Sequence, residues 1–339
     1  MTAIWMTLLL QDPKDIEQAG QKALELIKDP SRRSWALFLE EPLCGLAYMA
    51  SGTTVTAGPY SAELRRSIEC GMRETSSGEP ELANWNRALK LVLLTEVYKK
   101  APSPELKTRI EELIQALGKV QESTGGWQRR QGYSYPALGG VPDISILSAI
   151  VVLGMGNAKG SGLQVPQEPL DRVFEYFRKI SDGGGLSYGT NNGHGDACAS
   201  RCAAALIGMH MMNRRDAMYD QFAKGLRDRH KHVFKGHDSP YLHYLLTAVG
   251  CRLIGAFDDW KSTHMRKILD AREPDGSIWF ENAEKDPYER RTLKVNTAST
   301  AVLAILCNLH KGHIFQPPAA RDKPGGSPKP RGKSPFSQR

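Results

Sequence analysis

Acids, histidines, a tyrosine and arginines recur at one kind of place in this sequence, the first turn of a stretch of small and apolar residues. Asp143 and Ser145 open the stretch 143–153. His194, Asp196 and Arg201 open 196–212, Tyr241 and His243 open 241–254, and Asn296, Thr297 and Ser299 open 296–309. Trp35 stands at the same place in 34–50, as do Asn84, Trp85 and Arg87 in 82–99. Asp196, His243 and Asp143 are residue types that take and give protons, which suits general acid–base catalysis. Trp35, Trp85, Arg87, Arg201, Tyr241 and Asn296 supply aromatic walls and a few directed polar groups, as ligand pockets do. Singly, each reads equally as a helix cap or a hydrogen-bonded core residue. Together they make a site only if the fold brings the six openings to one end.

The elements that would do so are helices. Alternating runs of β-branched residues are scarce, and the apolar spacing is mostly helical. Gly78, Gly126, Gly184, Gly236 and Gly276 mark turns 40 to 58 residues apart, an irregular repeat of paired helices. One member of each pair is rich in small and apolar residues throughout. The other, at 13–28, 61–74, 104–121, 168–180, 216–233 and 259–272, has one charged face and one apolar face. Leu170, Val173, Phe174 and Phe177 show that spacing. Six pairs predict an all-α fold, an α/α toroid with the apolar helices as inner ring and the amphipathic ones as outer ring. An open solenoid is the alternative.

Composition narrows the rest. The chain has 339 residues, 45 basic and 37 acidic, for a net charge of +8. Residues 316–339 carry six basic groups and one acid, so +5 sits there and only +3 on the remainder. That segment is rich in Pro, Gly and Ser and predicts a disordered basic tail. The body at 13–315 is one domain, and the charge gives no reason to expect nucleic acid as a partner. No apolar run approaches the roughly 20 residues of a membrane span. Residues 3–10 are apolar but short, so 1–12 is a leader that packs on the body or the stub of a signal peptide. Six cysteines at spacings that suggest no disulfide framework point to a reducing, cytoplasmic setting; a truncated signal peptide would mean export.

Three turns carry a fuller motif. Gln121-Glu122-Ser123-Thr124-Gly125-Gly126-Trp127 has the Gln and Gly-Gly-Trp of the squalene–hopene cyclase repeat. Asp275-Gly276-Ser277-Ile278-Trp279 reads as the same turn with one insertion, and Asp182-Gly183-Gly184-Gly185-Leu186 as a copy with Leu for Trp. Over about 30–312 the chain therefore resembles the terpenoid cyclase and protein prenyltransferase superfamily of α/α toroids. In that resemblance Gln121, Trp127 and Trp279 clamp helix ends rather than act on a ligand. It implies a central cavity that binds an isoprenoid, or a glycan as other toroids do, in a transferase, cyclase or lyase. The alternative is a non-catalytic toroid that binds a peptide or protein.

The superfamily's chemistries fit unevenly. The Asp-rich acid motif of the cyclases is absent. Phe257-Asp258-Asp259-Trp260 is its nearest match, but it opens an amphipathic helix and suits capping. Asp196-Ala197-Cys198 has the spacing of the first two zinc ligands of prenyltransferases, while Asn296 stands where the distant His ligand belongs. No cofactor is therefore expected. If zinc binds, Asp196, Cys198 and His194 are the candidate ligands. His230, His232 and His237 lie among Lys and Arg and read as a solvated helix end.

Overall fold

The computed structural model describes residues 12–32, 37–73, 82–134, 140–190, 198–232, 240–280 and 296–317. The described residues form twelve α-helices: α1 (Pro13–Lys28), α2 (Leu37–Ala50), α3 (Ser61–Met72), α4 (Ala83–Lys100), α5 (Pro104–Lys119), α6 (Ser145–Gly160), α7 (Gln167–Ile180), α8 (Ala199–Met211), α9 (Ala217–Arg229), α10 (Pro240–Leu253), α11 (Phe257–Asp270) and α12 (Asn296–Asn308). The strands among them are one two-residue hairpin, Ser181–Asp182 with Gly185–Leu186. The expected all-α class is what the chain shows. Residues 1–11 of the expected leader 1–12 and 318–339 of the expected tail 316–339 lie outside the described residues.

Odd-numbered helices are amphipathic for local reasons. Asp12 caps α1 by accepting from the Lys14 amide at 2.9 Å, Ser103 caps α5 through Leu106 N at 3.2 Å, and Asp216 caps α9 through Tyr219 N at 3.1 Å. Pro13 and Pro104 occupy first turns, where no amide hydrogen is needed. On α7, Leu170, Val173, Phe174, Phe177 and Ile180 are buried while Arg178 is exposed. Burying each such apolar side chain stabilises the fold by about 1.5–3 kcal/mol.

Even-numbered helices are apolar all round, which requires partners on every side. Every residue of α6 from Ser145 to Ala158 is buried. Each even helix packs on the next, from α2 to α4, α6, α8, α10 and α12, and α12 packs on α2 as well as on α10. The first helix, α1, covers the last, α12. The sequence reading ended α6 at Leu153, ahead of Gly154-Met155-Gly156, but the helix continues to Gly160. Those glycines are kept for contact rather than for breaking the helix. A Cβ on Gly156 would lie 2.2 Å from the carbonyl oxygen of Gly208 on α8, so the two backbones touch there.

The glycine turns share one register. Trp127 is fully buried, and its indole donates to Leu117 O at 2.9 Å, adding a second bond to a last-turn carbonyl of α5 that also accepts from Val120 N. Gln121 donates to Gly125 O and Pro169 O. In this turn Glu122 N bonds Gly126 O and Trp127 N bonds the Ser148 hydroxyl. In the later turn Glu273 N bonds Ser277 O and Ile278 N bonds the Thr300 hydroxyl. Gly125 and Gly276 have φ of 94° and 92°. Ile278, fully buried, therefore stands in the place of Trp127 without an insertion, and Trp279 is half-buried beside it. Reading Trp279 as the second clamp was wrong by one position. Leu186 does fill that place in the middle turn: its carbonyl accepts from Cys198 N as Trp127 O accepts from Ile144 N.

The opposite ends of the even helices are tied by charge. Glu96 on α4 accepts from Lys99 at 2.6 Å and Asn157 at 2.9 Å through one oxygen, and from Phe315 N at 3.0 Å through the other. Lys99 also donates to Asn157 Oδ1 and Gln316 O. Arg252 on α10 donates to the carbonyls of Leu309, Ile314 and Phe315. The segment after α12 is thereby drawn across this end, with Phe315 buried at a φ of 52°.

Candidate functional site

The openings of α6, α8 and α10 form a layer of buried polar side chains at the head end of the even helices. Asp143, just before α6, is fully buried, and its carboxylate accepts from the Tyr176 hydroxyl at 2.9 Å, Thr190 N at 3.1 Å and Thr190 Oγ1 at 2.9 Å. Burial, with the Asp143 charge beside it, pushes the Tyr176 phenol well above its ordinary value, so Tyr176 remains a donor. A Cβ on Gly126 would lie 2.9 Å from Asp143 Cβ, so that glycine makes room for the acid. Charge-assisted bonds of this kind contribute about 1.5–3 kcal/mol each.

Arg201 lies on α8, 1% exposed, with its guanidinium over the Tyr188 ring at 5.1 Å and directed at Leu186 O at 3.3 Å. Tyr188 O accepts from Ser145 N at 2.9 Å, joining the heads of α6 and α8. The Ser145 hydroxyl is buried and has no hydrogen-bond partner among the described residues.

Cys198 caps α8 from a β-region backbone, but its side chain makes no cap bond. Its Sγ instead lies 3.0 Å from the Ser200 hydroxyl and 3.2 Å from His243 Nδ1 on α10. Cys198 and His243 are each 2% exposed. Behind His243, Thr247 donates to its carbonyl, and Trp260 Nε1 donates to Thr247 at 2.9 Å, fixing this turn of α10 against α11. One turn into α8, burial and then the neighbouring Cys198 push the Cys202 thiol up.

The sequence-derived candidates divide accordingly. Asp143, Arg201, Tyr241 and His243 are buried at the head end. Arg87 donates to Asn84 Oδ1 at 3.0 Å, and burial, with Arg109 nearby, lowers its pKa. Asn84 in turn donates to Gln128 O, tying α4 to the first glycine turn, and Trp85 is half-buried against the core. Trp35, His194 and Asp196 lie outside the described residues, as does the side chain of Asn296. Among the described residues no group of three His, Cys, Asp or Glu could hold a metal. The donors that can be placed stop at Cys198 and His243, short of the four of a closed zinc site, so no step is derived through a metal.

Two features escaped the sequence reading. The Cys198–His243 contact joins residues 45 apart whose only shared signal is a first-turn position on neighbouring even helices. His230 was read as part of a solvated helix end, yet it is fully buried, with Nε2 at 2.9 Å from Asp259. Asp259 sits in the first turn of α11 and spends its carboxylate on His230; Ala256 is the cap residue, without a side-chain bond. His264 Nε2 donates to His230 O, 2.8 Å away, and burial lowers the His264 pKa to about 4. A cavity of about 250 Å³ lies elsewhere, between α1, α11 and the end of α12, walled by Ile16, Trp260, Met265 and Leu306. It contains none of the head-end polar groups.

Similarity to known proteins matches this architecture. The Lin0763 protein of Listeria innocua has a similar structure, with a TM-score of 0.60 at 12% identity over 88% of this chain and 98% of that one. At that identity the likeness shows the all-helical fold alone. A polysaccharide lyase aligns over 89% of this chain and 90% of its own at 15% identity, with a TM-score of 0.42. No curated protein matches the sequence. The family described as a domain of unknown function, DUF6288, matches residues 20–315. On that match the chain belongs to the DUF6288 family.

Proposed function

We propose that the even helices close into the inner ring of an α/α toroid related to the terpenoid cyclase and prenyltransferase superfamily. In this reading the head end binds an isoprenoid or a glycan, with His243 and Asp196 as its proton-handling groups and Asp143, held by Tyr176 and Thr190, fixing the layer. The contact of α12 with both α10 and α2 supports closure. The observation that carries the ligand site is the Cys198–His243 contact in one buried layer with Arg201, Tyr241 and the unsatisfied Ser145 hydroxyl. A hydroxyl buried without a partner costs about 1–3 kcal/mol, a cost that a bound polar group at this layer would remove. Transferase, cyclase and lyase chemistry remain open within this reading, and zinc enters only if Asp196 and His194 join Cys198.

The non-catalytic reading, a toroid that takes a peptide at the same end, draws on one observation. Asp143 and Arg201 already have bonds within the fold. Equilibrium binding of farnesol and of a neutral tetrasaccharide to the full chain separates the possibilities. One of the two should bind, Tyr241→Ala should weaken it about tenfold, and Lys224→Ala on an outer helix should leave it unchanged. Binding of neither, with a peptide library giving ligands that are never turned over, would favour the second reading.

A further inference from the structure

We propose that Cys198 is a nucleophile and His243 its base, forming a centre for acyl transfer from a carboxylic ester. This rests on the reading that the head end is where a ligand enters. Three observations meet here. Cys198 Sγ lies 3.2 Å from His243 Nδ1, within the reach over which a base takes a proton from its nucleophile. Cys198 sits at the N-cap of α8, where first-turn amide N–H groups have no acceptor within the helix and the dipole favours negative charge. The Ser145 hydroxyl on the neighbouring helix α6 is buried without a partner and is a further donor in the same layer.

Cys198 also differs in its contacts from two other buried thiols. Cys251 and Cys307 are pushed up to about 12 by burial and are packing groups. Cys198 has a ring nitrogen and a hydroxyl against its sulfur and adds the amides of a helix start.

The step balances without an oxidant or a metal. The Cys198 proton passes to His243 Nδ1 as Sγ bonds to the ester carbonyl carbon. The carbonyl oxygen carries the negative charge of the tetrahedral intermediate toward the first-turn amides of α8. Collapse breaks the C–O bond, and the alcohol leaves with the proton from His243. Water then adds to the thioester and is deprotonated by the same imidazole. The acid departs, and the thiol is restored. The substrate class is an ester of a small acyl group, whether the alcohol is a sugar or an isoprenoid.

The test uses full-length protein at pH 6, with iodoacetamide and p-nitrophenyl acetate as probes and peptide mass spectrometry as readout. Cys70 is the internal reference, because it is half-exposed and its thiol is pushed up by burial. An imidazole in contact with the sulfur and the amides of a helix start both favour attack by Cys198. Cys198 should therefore alkylate roughly tenfold faster than Cys70, and His243→Gln should remove that advantage while leaving Cys70 unchanged. p-Nitrophenyl acetate should leave an acetyl group on Cys198, with a burst of nitrophenolate absent in Cys198→Ser. Cys198 that alkylates at the same rate with and without His243 overturns the pair and leaves the ligand reading standing. Cys198 that stays unmodified in native protein overturns the proposal as well, while farnesol or tetrasaccharide binding still judges the ligand reading. Near-identical circular dichroism of the His243→Gln and Cys198→Ser chains confirms that the comparison is between folded proteins.

Discussion

The two ends of the even helices bury polar groups in opposite ways. At the tail end Glu96, Lys99, Asn157 and Arg252 satisfy one another and the carbonyls and amide of residues 309–316. The result is a seal that holds the segment after α12 in place. At the head end the network is uneven. Asp143 holds three donors and behaves like the tail-end charges, whereas Cys198 and His243 face each other beside a serine hydroxyl that has no partner among the described residues. Buried polarity alone does not mark function, since a saturated charge is architecture. The contrast points instead to a thiol and an imidazole that the fold holds against each other.

Substitutions can break this contrast or sharpen it. The largest effect is expected at the tail end. Glu96→Ala leaves Lys99 without its counter-charge and takes the Glu96 acceptor from Asn157 Nδ2 and Phe315 N, and removing one partner of a buried pair costs about 3–5 kcal/mol. Urea unfolding would show it, and a loss below about 1 kcal/mol would mean the seal is ornamental. Asp143→Asn should behave in kind though less severely. It turns one acceptor oxygen toward the Tyr176 and Thr190 donors as an amide, at a cost of about 2 kcal/mol by the same assay.

Acid should act through His264, which packs against Tyr244 on α10. Burial lowers its folded pKa to about 4, below its ordinary 6.5, so the unfolded chain takes up the proton first. Its contribution is complete above about pH 6.5 and falls as the pH drops toward 4, by roughly 2 kcal/mol once solvent screening is allowed for. His264→Phe should flatten stability across that window; an unchanged slope would assign the acid sensitivity elsewhere. The smallest effect is expected at the head-end pair. Cys198→Ser and His243→Gln should each change stability by only about 1 kcal/mol, because neither group carries the fold. A loss as large as that of Glu96→Ala would make the pair structural and erase the contrast.

Much of the scaffold was legible in the sequence, because each helix type has its own composition. The charged face and Pro or Asp starts of α1, α5 and α9 sufficed to place them, and the small-residue content of α8 and α12 did the same. The errors came where tertiary contact overrides a local rule. Gly154 and Gly156 looked like a helix end, but inside α6 the first makes room for Leu91 of α4 and the second for Gly208 of α8. Trp279 looked like a clamp because a Trp was sought, while the hydrogen bonds put Ile278 there. The site was legible as a layer but not as pairs. First-turn positions on even helices showed that Asp143, Arg201, Tyr241 and His243 belong to one end. Which of them is saturated depends on Tyr176 inside α7 and on Tyr188 and Thr190 after the middle glycine turn, none of which stands in a motif. The register that sets Cys198 against His243 comes from the α8–α10 packing.

The central claim is that the head end takes the ligand and the tail end is a seal. A crystal structure of the full chain soaked with farnesol and with a neutral tetrasaccharide tests it most directly. The account predicts ordered density for one of them within contact of Tyr241 and His243, with residues 309–316 still drawn over the tail end by Arg252 and Glu96. Density only in the groove between α1 and α11, or a ligand that enters by displacing residues 309–316, would contradict it.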